Sequence, residues 1–155
     1  PKILRLLRAL AARPLAGVEW CLVFGNAGWL RRRAEALLAG RPDVRILALS
    51  GQMPEHMHWA DLVVTKPGGL TLAEALSLSK PVLLLQRGGG QGAANTEVIL
   101  RAGAGLLLED GQRMPDTVER FARDVAWRAR LQAGAAALSK PEAACMTAAW
   151  VAELG

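Results

Sequence analysis

Glu74, Gln91 and Asn95, each close to a cluster of glycines, are the polar side chains in this sequence best spaced to do chemistry. They lie in the stretch from Asp61 to Asn95. Within it, Leu62 to Thr65 is a short apolar, β-branched run that predicts a strand, and Lys66-Pro67-Gly68-Gly69 ends it. Leu70 to Leu78 has helical spacing, with Leu72, Ala75 and Leu76 on one face, and Pro81 to Leu85 predicts a second strand. A strand, a glycine turn and a helix in that order leave unpaired N–H groups at the positive end of the helix macrodipole. That arrangement suits a phosphate or diphosphate. A second glycine loop, Gly88-Gly89-Gly90, follows the second strand and opens the segment carrying Gln91 and Asn95. Two such loops one strand apart belong side by side at the carboxyl edge of a parallel sheet, where open α/β sheets bind ligands.

Each candidate has a second reading. Thr71 to Glu74 fits the capping-box pattern, in which the threonine caps the helix and the glutamate reaches back to its backbone. The same carboxylate, one turn inside a phosphate-binding helix, is placed to accept two hydrogen bonds from a ribose diol. Lys66 either neutralises a diphosphate or is an exposed residue before a turn. Gln91 and Asn95, one helical turn apart, either grip sugar hydroxyls together or serve as a cap and a surface amide. His56 and His58 are two residues apart, so a helix points them to different faces, and no acidic or cysteine partner stands at metal spacing; no metal site is expected. There is no nucleophile elbow, no Cys–His pattern, no Walker A ending and no full dinucleotide fingerprint. The residues alone read as nucleotide or sugar-nucleotide binding without an evident catalytic base.

The elements that must position these groups alternate along the chain. Ile3 to Ala12 predicts a helix with Ile3, Leu4, Leu7, Leu10 and Ala11 inward and Arg5 and Arg8 outward. Its basic side is either a contact with an acidic lipid surface or, the preferred reading, a solvated face. Trp20 to Phe24 predicts a strand, and Gly25 to Gly28 turns into a helix reaching about Leu38, around which Arg31, Arg32 and Arg33 point in different directions. Val44 to Leu49 is the next strand, followed by an irregular segment, Ser50 to Trp59. After the central stretch come a short strand, Leu106 to Leu108, and one long helix from Asp116 to Leu131 with Val118, Phe121, Val125 and Ala129 as its apolar face. Gly134 interrupts, and Pro141 starts a terminal helix to about Leu154. This is β/α alternation around a parallel sheet, with extra helices at the end.

Composition sets outer bounds. The chain has 155 residues, enough for one domain with a core, 52% hydrophobic and 21% charged. A net charge of +5, more from arginine than lysine, points to an anionic ligand or surface. Nucleic acid is not implied, since the aromatics do not interleave with basic residues and no RNA-binding or zinc-finger signature is present. The two cysteines, Cys21 and Cys145, lie in apolar surroundings and read as reduced core thiols of a cytosolic protein. No apolar run approaches the ~18 residues of a membrane span. The first residue is proline rather than methionine, so a longer parent sequence is expected.

The string DLVVTKPGGLTLAEALSLSKPVLLL, then Gly90-Gln91 with Asn95 four residues on, then GAGLLLE, resembles the carboxyl-terminal domain of family 28 glycosyltransferases. These include the monogalactosyldiacylglycerol synthases and processive diacylglycerol glucosyltransferases, with the peptidoglycan transferase MurG more distant. The resemblance covers about Trp20 to Glu109, and the TKPGG-T-x-x-E block is its specific part. It implies the GT-B fold, two Rossmann-like domains with the active site in the cleft between them, of which residues 1–155 are the UDP-sugar donor-binding half. No cofactor or metal is implied.

Carried over by position, Leu49 and Ser50 offer backbone groups to the uracil with Met53 packing nearby. Gly68, Gly69, Leu70 and Thr71 hold the diphosphate, Glu74 takes the ribose hydroxyls, and Gln91 reaches the donor sugar with Asn95 beside it. The sequence departs from the pattern in three ways. Lipid-glycosylating members carry Gly-Gln-Glu where this chain has Gly90-Gln91-Gly92, so a carboxylate expected on the sugar is absent. The family domain's first strand, central in its sheet, precedes residue 1, which should leave apolar strand edges exposed. The amino-terminal domain, which supplies the lipid or saccharide acceptor site and the base, is also outside the chain.

The implied activity is an inverting UDP-sugar-dependent hexosyl transfer, in the cytoplasm or at the inner face of a membrane. The alternatives are a donor-binding subunit needing a partner chain, as in the two-piece transferase of eukaryotic N-glycan assembly, and a non-catalytic UDP-sugar sensor. A large apolar patch near Val44 to Met57 would favour a partner. A UDP-sugar 2-epimerase-like protein is disfavoured by the TKPGG block.

Overall fold

A computed structural model describes residues 2–48, 51–108 and 110–153. Strands and helices alternate as α1 (Lys2–Ala12), β1 (Trp20–Val23), α2 (Gly28–Leu37), β2 (Val44–Leu47), α3 (Met53–Trp59), β3 (Val63–Thr65) and α4 (Gly69–Ser77). Then follow β4 (Val82–Leu84), α5 (Gln91–Arg101), β5 (Gly105–Leu107), a 3-10 turn (Gly111–Arg113), α6 (Met114–Arg123), α7 (Val125–Ala137) and α8 (Ala143–Glu153). The chain divides into two compact units, Pro1–His56 with Leu108–Arg128, and Met57–Leu107 with Ala129–Gly155. Helices α3 and α7 each cross the division.

In the first unit β1 and β2 pair in parallel, with Trp20 opposite Val44 and Val23 opposite Leu47. Helix α1 packs against α2, α6 and the 3-10 turn. Leu6, Leu7 and Leu10 of α1 are buried, as are Trp20, Ala34, Leu38, Val118 and Phe121. The apolar face of α1 is thus used inside the unit, and Arg5 and Arg8 remain as its exposed outer face. A bidentate pair fastens the entry to β2: Arg41 Nε donates to Asp43 Oδ1 at 2.7 Å and Nη2 to Oδ2 at 2.5 Å, while Nη1 reaches the Leu10 carbonyl at 2.8 Å. That guanidinium holds the Asp43 carboxyl below the usual aspartate range.

The second unit is built on the parallel sheet β3-β4-β5, in which Val63 lies opposite Val82 and Val82 opposite Gly105. Val82, Leu83 and Leu84 of the central strand are fully buried, the continuous apolar run a parallel strand needs when both its faces are covered. Gly105 is required there, because a Cβ would fall 2.2 Å from the Val82 carbonyl oxygen. Helix α7 approaches the end of α5 as closely, since a Cβ on Gly134 would lie 2.4 Å from the Gly103 carbonyl oxygen. Among the described residues β1 pairs only with β2 and β3 only with β4, so each has one edge without a ladder partner. No helix of the described residues is long and apolar enough to cross a membrane.

Several local expectations change. The segment before β3 is not irregular: residues 53–59 form α3, with Pro54 in its first turn and Met57 its one buried residue. The long helix expected from Asp116 is two helices, broken at Asp124, where φ is −87° and ψ 87°. The Asp124 carboxylate accepts from the Trp127 N–H at 2.9 Å and so starts α7, which leaves Val125 64% exposed instead of on the apolar face. Gly134 lies inside α7 and is buried, not an interruption. Cys21 is half-buried and its thiol is pushed up by burial, partly offset by the charge of Arg45. Cys145 is exposed on α8 and is not a core thiol. Helix α8 itself buries no side chain.

Candidate functional site

The loops after β3 and β4 stand next to each other because those strands are parallel neighbours. The first loop runs Lys66-Pro67-Gly68 into α4. Its N-cap is Gly68 (φ −80°, ψ 132°), no side chain caps the helix, and the first intrahelical bond is Leu72 N–H to the Gly68 carbonyl at 3.1 Å. The N–H groups of Gly69, Leu70 and Thr71 therefore have no acceptor within the helix. The capping box expected from Thr71 and Glu74 does not form: the helix begins at Gly69, which puts Thr71 in its first turn rather than at its cap. Glu74 is exposed on the next turn, and among the described residues its carboxylate has no hydrogen bond or ion pair. Lys66 is exposed at the start of the loop.

The second loop ends at Gly90, whose φ of 51° and ψ of −122° belong to glycine alone, and α5 starts at Gln91. The loops meet where glycine backbone packs on the ring of Pro67. A Cβ on Gly88 (φ +75°) would lie 2.9 Å from Pro67 Cγ and 3.0 Å from the Gly92 backbone, and one on Gly92 would lie 3.4 Å from Pro67 Cγ. Asn95 crosses the junction, donating from Nδ2 to the Pro67 carbonyl at 3.1 Å. The Cβ position of Gly69 is 3.9 Å from both Gln91 Nε2 and Asn95 Nδ2. Two side-chain amides of α5 therefore face the first residue of α4. Gln91 is exposed and Asn95 half-buried, so the place where they meet Gly69 is open to solvent.

Of the residues singled out in the sequence, Lys66, Gly68, Gly69, Leu70, Thr71, Glu74, Gln91 and Asn95 come together on these two loops and their helices. Leu70 is 76% exposed there, an apolar side chain at the mouth of a polar site. Met53 opens α3, half-buried, in a helix that crosses into the other unit. Leu49 and Ser50 lie outside the described residues. The sequence reading missed Pro67 and Thr96. Thr96 is the one buried polar side chain among the described residues, and its Oγ1 lies 2.6 Å from the Arg87 carbonyl and 2.9 Å from the Gly92 carbonyl. A threonine four residues after a loop glycine carries no signal of that kind.

Chemically, this is a solvent-facing site with a row of free backbone donors, two amides that both donate and accept, and one unpaired carboxylate. None of these groups is a base or nucleophile with a partner to activate it. Among the described residues no three His, Cys, Asp or Glu side chains are grouped to hold a metal.

Known proteins of similar sequence and fold are glycosyltransferases. The chain is 31% identical over 97 residues to the processive diacylglycerol beta-glucosyltransferase of Staphylococcus epidermidis, a match spanning 63% of this chain and 25% of that protein. It is 31% identical over 128 residues to the UDP-N-acetylglucosamine–N-acetylmuramyl-(pentapeptide) pyrophosphoryl-undecaprenol N-acetylglucosamine transferase of Sorangium cellulosum, spanning 78% of this chain and 31% of that protein. The chain thus spans about a quarter to a third of these relatives. In fold it is similar to MurG of Acinetobacter baumannii, with a TM-score of 0.71 and 18% identity over 98% of this chain and 46% of that one. The glycosyltransferase VinC, solved with dTDP, is similar with a TM-score of 0.60 and 17% identity over 94% of this chain and 44% of that one. The architecture is that of one half of a GT-B glycosyltransferase, Rossmann-like, with parallel strands and flanking helices. The model of the glycosyltransferase family 28 C-terminal domain matches residues 10–144, a wider span than Trp20 to Glu109, and the chain belongs to that family.

Proposed function

We propose that this domain holds the UDP-sugar donor of an inverting glycosyltransferase that moves a hexose onto a lipid or saccharide hydroxyl. The observation that carries the reading is the approach of Gln91 and Asn95 to Gly69, where three backbone N–H groups of α4 lie without intrahelical acceptors. A diphosphate seated on those N–H groups is stabilised by them and by the helix dipole, with Lys66 adding positive charge. The same groups stabilise the negative charge that grows on UDP as it leaves, which is the larger part of the catalytic work the domain performs. Glu74, one turn further along α4 and unpaired, accepts from the ribose diol. Gln91 offers donor and acceptor to the sugar, and Asn95, with its Nδ2 engaged by Pro67, offers mainly its oxygen.

The acceptor hydroxyl attacks the anomeric carbon from the face opposite UDP, so the product is inverted. The base that deprotonates it, and the acceptor site, come from an amino-terminal domain or a partner chain. The donor is the only small molecule the reading requires; it calls for no resident cofactor or metal. It places the protein in the cytoplasm or against the inner face of a membrane.

The second reading is a non-catalytic UDP-sugar-binding subunit or sensor that needs a partner chain. The described residues of the Val44 to Met57 segment contribute none of the large exposed hydrophobics. Helix α8, by contrast, exposes Met146, Trp150 and Val151 at 67%, 63% and 57%. A helix apolar on all sides is ordinarily covered by other protein, which favours some partner surface, in the same polypeptide or another.

Isothermal calorimetry with UDP, ADP and GDP tests the donor reading. UDP should bind best, and Glu74→Ala should weaken it about tenfold or more, the loss of charge-assisted hydrogen bonds to a diol. Equal affinity for all three nucleotides, or none, contradicts it. UDP release in the presence of lipid or saccharide acceptors by the complete gene product separates the transferase from the sensor.

A further inference from the structure

The second glycine loop is held by a residue that is not among the side chains facing Gly69. Thr96 is fully buried on α5, and its hydroxyl lies within hydrogen-bonding distance of two carbonyls, that of Arg87 before the loop and that of Gly92 just after it. A threonine hydroxyl has one proton, so it is shared between the two as a three-centre bond. Between those two carbonyls lie Gly88, Gly89, Gly90 and Gln91. The loop is made of the residue type that loses most conformational freedom on ordering, and two of its glycines take positive φ. Left to itself such a loop samples many conformations, and most of them carry the Gln91 amide away from Gly69. The Thr96 hydroxyl closes the loop at its two ends. The contacts of Gly88 and Gly92 with Pro67 press it against the first loop, and Asn95, the residue before Thr96, ties the helix to the Pro67 carbonyl.

We infer that Thr96 is a positioning residue for the sugar half of the site: its hydroxyl pre-sets the Gly88–Gln91 loop so that the Gln91 amide stands over Gly69 before any ligand arrives. The inference rests on the nucleotide-sugar reading above. The nucleotide half, Gly69 to Thr71 with Glu74, is on α4 and is held by helix geometry that does not involve Thr96. The two halves should therefore respond differently to loss of the hydroxyl, which a general loss of stability would not produce.

The test is calorimetric binding of UDP and of UDP-glucose or UDP-N-acetylglucosamine to wild type, Thr96→Val, Thr96→Ser and Gln91→Ala. Valine keeps the shape and removes the hydroxyl. Thr96→Val should weaken the UDP-sugar about tenfold, the order expected when one ordering hydrogen bond is lost, while UDP stays within about twofold. Thr96→Ser should bind as wild type does. Gln91→Ala should show the same selective loss, and combining it with Thr96→Val should add little, because both act through one amide. A folded Thr96→Val that binds the UDP-sugar normally, or that loses UDP and UDP-sugar equally, overturns the inference.

Should the valine variant fail to fold, backbone order parameters of the ligand-free wild type decide the matter. Values for residues 88–91 close to those of the helices, about 0.85, support a pre-set loop, and values below about 0.6 overturn it. A wild type that binds neither UDP nor the UDP-sugar overturns the nucleotide-sugar reading and this inference with it, an outcome distinct from selective failure of the variant.

Discussion

Asn95 and Pro67 join the two loops of the site directly: the side-chain amide at the start of α5 donates 3.1 Å to the carbonyl that precedes α4. That bond joins two corners that are 28 residues apart and adds to the packing of Gly88 and Gly92 against Pro67. It predicts a measurable stability cost. Asn95→Leu removes the donor and leaves the Pro67 carbonyl without this partner. Unfolding in urea should show about 1 kcal/mol less stability, a normal value for one such bond, with an unchanged slope. A midpoint unmoved by the substitution would mean the loops hold their places without the tether.

Much of the fold is legible in the sequence because its strands and corners are punctuated. The apolar runs around Val63 and Val82, each followed by glycines, read as adjacent parallel strands with loops at one edge, and the structure shows them so. Where periodicity and punctuation conflict, the sequence misleads. Val118, Phe121 and Val125 keep helical spacing through Asp124, but an aspartate whose carboxylate reaches the N–H three residues on begins a new helix there. Helix α3 has a single buried residue, Met57, too few to show a period. Thr71 looks like a cap by pattern, but Gly68 takes the extended backbone that defines the cap, so the helix starts earlier. The lock by Thr96 depends on a distance between two carbonyls, which spacing does not encode.

Ser79 is the only non-glycine with positive φ among the described residues, at 54°, just past the end of α4. The Lys80 N–H bonds the Ala75 carbonyl at 2.9 Å, so the turn closes the helix in the left-handed manner that favours glycine. Ser79→Gly should relieve that strain and stabilise the protein by about 0.5–1 kcal/mol. A rise in the chemical denaturation midpoint checks it.

Gly105→Ala should do the reverse. Its methyl would have to occupy a position 2.2 Å from the Val82 carbonyl oxygen and 2.9 Å from Ile99 Cγ2, both in the fully packed centre of the second sheet. Strands β4 and β5 cannot both keep their places, and a loss of about 1–3 kcal/mol or failure to fold is expected on thermal unfolding.

The Arg41–Asp43 pair makes stability depend on acid. Asp43 is held below its ordinary range, first by the hydrogen bonds from Arg41, so its folded-state value lies under its unfolded one. The unfolded chain then binds the proton more readily, and stability falls as pH falls. The contribution is complete above the ordinary aspartate value of about 3.9 and is lost as pH drops through the lower folded value. Asp43→Asn should be less stable than wild type at neutral pH, and the difference between the two should shrink below about pH 4. A difference independent of pH would assign the effect to packing.

Two neighbouring glycine corners that take one ligand between them should both report it in their amide shifts. In a 15N-labelled sample, saturating UDP should move the backbone signals of Gly69, Leu70 and Thr71 most, and a UDP-sugar should in addition move the side-chain amide of Gln91. Signals of Gly69 to Thr71 that stay fixed at saturation, or a sugar that leaves Gln91 untouched, would contradict the account.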